Sequence, residues 1–152
     1  MSPPDEFRLE QVLEFRRRQE ERQHLELKVL SEEERRLSGQ LADLRAKEDQ
    51  QLLTLAERSR SGLIEPTEFD AALAYLDAIE GSIDEQIDVV AQVQAKVLES
   101  REALIDILRE KQVLENLKQR QAAAAAQEAN RRESKATDDI TSARFVRRAR
   151  EA

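Results

Sequence analysis

The sequence predicts an all-α protein, a long antiparallel two-helix coiled-coil hairpin whose C-terminal helix protrudes beyond the first helix. Three observations support this fold class. The 152 residues are 38% charged and contain three glycines and three prolines, a composition typical of long helices and coiled coils. Apolar residues recur at heptad spacing in two segments. Helix-breaking residues lie between these segments, which indicates that the chain reverses there. The two segments are then expected to pair as a single coiled-coil domain over residues 1–152.

Composition excludes several classes of protein. Aromatic residues make up 3% of the chain, too little bulk for a conventional globular core. No cysteine is present, which excludes disulfides and thiolate metal sites and fits a reducing cytoplasm. No apolar run approaches the ~20 residues that cross a bilayer, and the N-terminus has no signal-peptide pattern. We therefore expect a soluble, intracellular protein with no direct membrane insertion.

The charges are unevenly distributed along the chain. The net charge is −7, yet residues 118–152 carry nine basic and five acidic side chains, a balance of +4. Residues 1–117 carry 16 basic and 27 acidic side chains, a balance of −11. Eight acidic residues and no Lys or Arg lie between Ser61 and Ala95. This polarity indicates different partners at the two charged regions, and the overall acidity argues against nucleic acid.

The first helix is predicted at about residues 5–60. Two rows of residues begin at Leu9 and Leu13 and step by seven to Gln51 and Leu55, so that they interlock as a heptad seam. The seam is imperfect: 8 of these 14 positions are apolar, and the stretch from Arg16 to His24 is wholly polar.

A reversal is predicted at about residues 61–67. Gly62 can adopt the left-handed conformation that ends a helix, and Pro66 cannot continue one. Thr67 and Asp70 have the spacing of a capping box with Asp in place of Glu. The chain should therefore turn back on itself near residue 63.

The second helix is predicted at about residues 67–148, with the stronger apolar pattern. One row recurs every seven residues from Phe69 to Leu104, and flanking rows add further apolar positions, which are Ala72, Leu73, Ile79, Ile87, Val93, Ile107, Leu108 and Leu114. This stripe is wider than a two-stranded seam requires. Gly39 and Gly81 lie inside the two helices and mark either bends or close contacts.

A turn centred near residue 63 places residue i opposite residue 126 − i. Leu9 then faces Leu117, and the second helix should be unpaired after about residue 121. At 1.5 Å per residue, the ~30 remaining residues would project about 45 Å. Alanine is the best intrinsic helix former, so the run of Ala122, Ala123, Ala124, Ala125 and Ala126 can stay helical without a packing partner.

The C-terminal stretch REKQVLENLKQRQAAAAAQEANRRESKATDDITSARF resembles the tail of the flagellar type III export protein family FliJ. The elements that carry the resemblance are the Arg-Glu-Lys stretch at 109–111, a Leu-rich turn, Glu128, Arg131, Lys135 and the pair Asp138 and Asp139. The opening FRLEQVLEFRRRQEER is also similar to that family. Related proteins of virulence-type secretion systems share the architecture and remain an alternative.

The resemblance implies a non-catalytic coupling protein similar to the central stalk of rotary ATPases. Its expected partners are a hexameric export ATPase, the cytoplasmic domain of the export gate, and export chaperones. Its expected location is cytoplasmic, peripheral to the inner face of the cell membrane at the flagellar base. The three glycines form no phosphate-cradling motif, and no carboxylate lies in a recognisable cleft, so neither enzyme activity nor a cofactor is expected.

The resemblance also suggests which residues contact each partner. Those expected to contact the ATPase ring are Arg120, Glu128, Arg131, Arg132, Lys135, Asp138 and Asp139, with Ala122–Ala126 as a slender shaft. Arginine suits bidentate contact with carboxylates that line a pore. The alternative from the residues alone is that these charges only solvate an exposed helix.

A second set of residues is expected to contact the export gate. Leu73, Leu76, Ile79 and Ile83 lie on the wide apolar stripe and would present excess apolar surface near the acidic turn. The alternative is that this surface packs in a self-associated four-helix assembly.

Two functions unrelated to an ATPase also fit a helical protein of this composition. One is a structural coiled-coil spacer or parallel dimer, against which the predicted turn and the polar patch argue. The other is a helical-hairpin holdase whose clients bind the apolar stripe. Truncation of the alanine tail would matter little to a holdase.

Overall fold

The computed structural model describes residues 3–151 and the side chains of residues 8–151. Helix α1 spans Pro3–Ser61 and helix α2 spans Pro66–Glu151. Within the described range, only residues 62–65 lie outside these helices. The two helices pack against each other in antiparallel directions, which confirms the predicted all-α hairpin. The predicted limits at residues 1 and 152 fall outside the described part of the chain.

The connection between the helices follows from Gly62 and Pro66. Gly62 has a φ of 70°, and its N–H donates to the carbonyl oxygen of Ser59 at 3.3 Å, which closes α1. The Glu65 carbonyl accepts the first hydrogen bond of α2 from Phe69 at 3.0 Å. Helix α2 therefore starts at Pro66, not after a Thr67 cap, because the fixed φ and missing N–H of proline suit the first helical position.

The helices divide into two compact units, of which one spans Glu21–Ile105 and includes the connection. Its core is a cluster of Leu37, Val90, Val93 and Val97, against which the half-buried leucines Leu27, Leu30 and Leu41 pack. The members come from the heptad rows of both helices. The periodicity therefore identified the side chains that the helix pair buries.

The other unit pairs the start of α1, up to Glu20, with α2 from Asp106 onward. Leu13 is fully buried in it. Among the described side chains, ion pairs that join the two helices here include Arg16–Glu110 at 2.8 Å, Lys111–Glu20 at 2.6 Å and Lys118–Glu10 at 2.6 Å. Arg16 with Glu110 fits the expected register, because the two residue numbers add to 126.

The polar residues of the α1 rows face the partner helix as the apolar ones do. All fourteen positions from Leu9 to Leu55 are buried or half-buried, including Arg16, Glu20 and Gln23. Gln23 bonds Ser100 through its amide, and Glu20 and Arg16 are ion-paired. The seam therefore continues through the polar patch as hydrogen-bonded polar layers.

Gly39 and Gly81 do not mark close contacts. A Cβ placed on either glycine would have no atom within 4 Å beyond the local helix backbone. Neither helix, over the residues the structure describes, contains a segment long and apolar enough to cross a membrane.

Candidate partner-binding surfaces

Helix α2 continues without interruption through the alanine run to Glu151. Every side chain from Ala122 to Glu151 is exposed. The hydroxyls of Thr137 and Thr141 donate to the carbonyl oxygens of Glu133 and Thr137, both at 2.9 Å. The segment is thus a single helix whose whole circumference is open to a partner.

The seven charged side chains predicted to contact the ATPase ring fall on one side of this helix. At about 100° per residue they lie within an arc of about 120°. We call this surface the charged stripe; its members are Arg120, Glu128, Arg131, Arg132, Lys135, Asp138 and Asp139. The opposite side of the same turns carries small or uncharged residues and one acid, Glu133. The helix therefore places these seven residues on a common surface.

Ion pairs within the charged stripe are local and exposed. Glu128 lies 3.7 Å from Arg131 and 3.4 Å from Arg132, one turn along the helix. Exposed pairs of this kind contribute little to stability and exchange readily for another partner. Both guanidinium groups are about four-fifths exposed, so each is available to a carboxylate from outside the chain.

Three of the four residues predicted to contact the export gate are buried within the hairpin, and one is exposed. Leu76, Ile79 and Ile83 are 7%, 5% and 8% exposed, whereas Leu73 is 42% exposed. The three buried residues occupy the seam rows of α2, where they pack toward α1. Only Leu73 lies in the flanking row that the seam leaves open.

A different surface surrounds Leu73. Ile87, fourteen residues further along the same flanking row, is 40% exposed. Three exposed carboxylates lie between these residues along the helix, and all five side chains fall within an arc of about 80°. We call this surface the acidic face; its members are Leu73, Asp77, Glu80, Asp84 and Ile87. The sequence pattern that indicates this face is a series of acidic residues spaced three or four apart, which lies between two apolar residues fourteen apart.

Helix α1 borders the acidic face. A shallow groove is lined by Glu80 and Asp84 from α2 and by three charged residues from α1, which are Arg45, Glu48 and Asp49. Four carboxylates and one guanidinium therefore share this groove, which gives it a negative balance.

The described residues offer no arrangement that suggests metal chemistry. No group of three His, Asp or Glu side chains among them could hold a metal ion. The hydrogen bond from Lys118 lowers the pKa of the Glu10 carboxyl. That shift arises from the ion pair between Glu10 of α1 and Lys118 of α2.

Comparison with known protein families adds one result. A family model described as "Flagellar FliJ protein" matches residues 5–150, nearly the whole chain. No curated protein and no solved structure matches the chain.

Proposed function

This chain belongs to the flagellar FliJ family, and from that premise we propose that it is a stalk-like coupling protein that binds the hexameric export ATPase. The family membership makes it a protein related to flagellar export. In our proposal the chain promotes assembly of the ATPase ring and ATP hydrolysis by the ring.

The observation that carries this proposal is the open helix from Ala122 to Glu151 with its one-sided charged stripe. Alanine side chains add little width to the helix, so the shaft from Ala122 to Ala126 fits a narrow opening. The stripe beyond it offers guanidinium groups that suit carboxylates on loops around such an opening.

We further propose that the acidic turn region contacts the cytoplasmic domain of the export gate. Exposed Leu73 and Ile87 support this contact by providing apolar surface beside Asp77, Glu80 and Asp84. Binding of export chaperones rests on the family resemblance. These contacts would hold the protein in the cytoplasm, peripheral to the inner face of the cell membrane at the flagellar base.

The test compares ATP hydrolysis by the cognate export ATPase with the intact chain and with a chain ending at Gln119. We expect the intact chain to stimulate hydrolysis and ring assembly, and the shortened chain to do neither. Equal stimulation by both chains would remove the open helix from the mechanism. No stimulation by either folded chain would favour the structural spacer.

A matched pair of variants separates the charged stripe from helix length. Arg131→Glu with Lys135→Glu reverses two charges on the stripe, and we expect it to lower the affinity for the ring at least about tenfold. Glu133→Lys changes a charge on the opposite side of the same helical turns and should leave affinity within about twofold. Equal effects of both changes would contradict a one-sided contact.

A further inference from the structure

The last turns of α2 carry a second charged surface outside the charged stripe. Arg144, Arg147 and Arg148 lie within an arc of about 100° that also contains Ile140, which is 55% exposed. This arginine face points to the side opposite the charged stripe. Glu151, 3.9 Å from Arg147, is the one acid between residues 140 and 151. The surface is therefore cationic with an exposed apolar side chain at its N-terminal end, and the proposed ring contact does not use it.

The acidic face has the complementary chemistry. It places Asp77, Glu80 and Asp84 between the exposed side chains of Leu73 and Ile87. The facing part of α1 does not neutralise it, because residues 38–61 contain four basic and four acidic side chains. Residues 62–88 add eight acids and no base, so the whole region from 38 to 88 carries −8.

We propose that the arginine face of one copy of this chain binds the acidic face of a second copy. The three arginines span about one helical turn and the three acids about two turns, so the arginines can all lie along the longer acidic face. Ile140 then packs against Leu73 or Ile87 across the contact. A contact of a few turns of helix is small, so this association is weak and depends on salt.

This association goes beyond the proposed function. It covers the C-terminal helix and the acidic face, the two regions proposed there to bind other proteins. Self-association therefore competes with the gate for the acidic face, and a second copy bound opposite the charged stripe widens the helix that is proposed to enter the ring. Its test uses the isolated full chain, so its outcome is independent of any ATPase measurement.

Sedimentation velocity across a range of chain concentrations tests the contact. At about 50 mM NaCl we expect the average mass to rise with concentration, and at about 500 mM NaCl the apparent dissociation constant should rise about tenfold. A chain that stays monomeric at every concentration in low salt would overturn the proposal.

Charge reversal identifies the two faces. One variant carries Arg144→Glu, Arg147→Glu and Arg148→Glu, and the other carries Asp77→Lys, Glu80→Lys and Asp84→Lys. Each should be monomeric alone, and the two should associate again when mixed, because each then offers a face of the opposite charge to the other. Far-UV circular dichroism should show unchanged helix content, since these side chains are exposed.

A control reverses three exposed acids outside the acidic face. Glu99→Lys, Glu102→Lys and Asp106→Lys together change the net charge as the acidic-face variant does and should leave association unchanged. Loss of association in this control, or failure of the mixed variants to associate, would overturn the proposal. So would a monomeric chain whose arginine face instead binds phosphatidylglycerol vesicles.

Discussion

The side-chain amide of Gln23 donates to the hydroxyl of Ser100 at 2.8 Å, joining two residues 77 positions apart in a polar layer of the helix seam. The same amide lies 3.3 Å from the Ser100 carbonyl oxygen. Ser100 is buried, so the pair satisfies polar groups that the seam removes from water.

This bond gives a first prediction. Gln23→Ala should lower the free energy of unfolding by about 1–2 kcal/mol, because it leaves the buried Ser100 hydroxyl without this donor. Gln23→Leu combined with Ser100→Ala should cost less than Gln23→Ala, since no buried polar side chain then lacks its partner. Urea unfolding of the three chains measures the difference. A costlier double variant would contradict the polar-layer interpretation.

The ion pairs of the same region should differ in strength. Lys111 and Glu20 are 22% and 19% exposed, whereas Lys118 and Glu10 are each about half exposed. Lys111→Met should therefore destabilise the protein by about 1–3 kcal/mol, because it removes the half-buried ion pair and hydrogen bond between Lys111 and Glu20 at 2.6 Å. Lys118→Met, the matched control, should cost less than about 0.5 kcal/mol. Thermal or urea unfolding compares them, and equal losses would argue against the role of burial.

The contribution of the Glu10–Lys118 ion pair to stability should depend on pH. The hydrogen bond from Lys118 holds the pKa of Glu10 below its ordinary value. A carboxyl with a lowered pKa in the folded state contributes stability above its unfolded pKa, and this contribution is lost as the pH falls through the folded pKa. NMR titration should show a lowered Glu10 pKa that Lys118→Met restores toward the ordinary value. An unchanged pKa in that variant would exclude Lys118 as the cause.

Replacing the glycines inside the two helices by alanine should stabilise the protein. Gly39→Ala and Gly81→Ala should each raise the free energy of unfolding by about 0.5–1 kcal/mol, because alanine favours helix and the added Cβ meets no atom within 4 Å. Gly62→Ala is the matched control and should destabilise the chain, since its φ of 70° strains any residue with a Cβ. Thermal unfolding of the three variants gives the sign of each change.

Substitutions of Leu73 and Leu76 should distinguish an effect on partner binding from an effect on the free energy of unfolding. Leu76→Ala should cost about 2–4 kcal/mol because its side chain is buried in the seam. Leu73→Ala should cost less than about 1 kcal/mol and, under the proposed function, weaken binding to the export-gate domain. Urea unfolding and a direct binding assay give the two readouts. Full gate affinity in the Leu73 variant would remove this residue from the proposed contact.

Much of the fold could be predicted because heptad spacing does not depend on every position being apolar. Arg16, Glu20 and Gln23 follow the rows of Leu9 and Leu13, and they face the partner helix as the leucines do. Gly62 and Pro66 identified the connection because each residue is compatible with only a few backbone conformations.

The surface of α2 was harder to predict, for a physical reason. Its apolar stripe spans three rows, and a single facing helix covers about two. Which rows are covered depends on the rotation of α2 about its own axis, which packing against α1 determines. The structure buries the rows of Leu76 and Ile79 and leaves that of Leu73 open. Helix α2 begins at Pro66, one residue before the predicted start at about residue 67, because proline suits the first position of a helix.

The short connection at residues 62–65 also sets an order of folding events. The cross-helix bond from Gln86 to Leu37 spans 49 residues, that from Gln23 to Ser100 spans 77, and that from Lys111 to Glu20 spans 91. Closing a longer loop costs more entropy, so pairing that starts beside the connection and extends outward avoids that cost at each step. We therefore expect contacts near Leu13 to form last and to open first. In this order of events, the open C-terminal helix follows directly after the segment of α2 whose pairing with the start of α1 opens first.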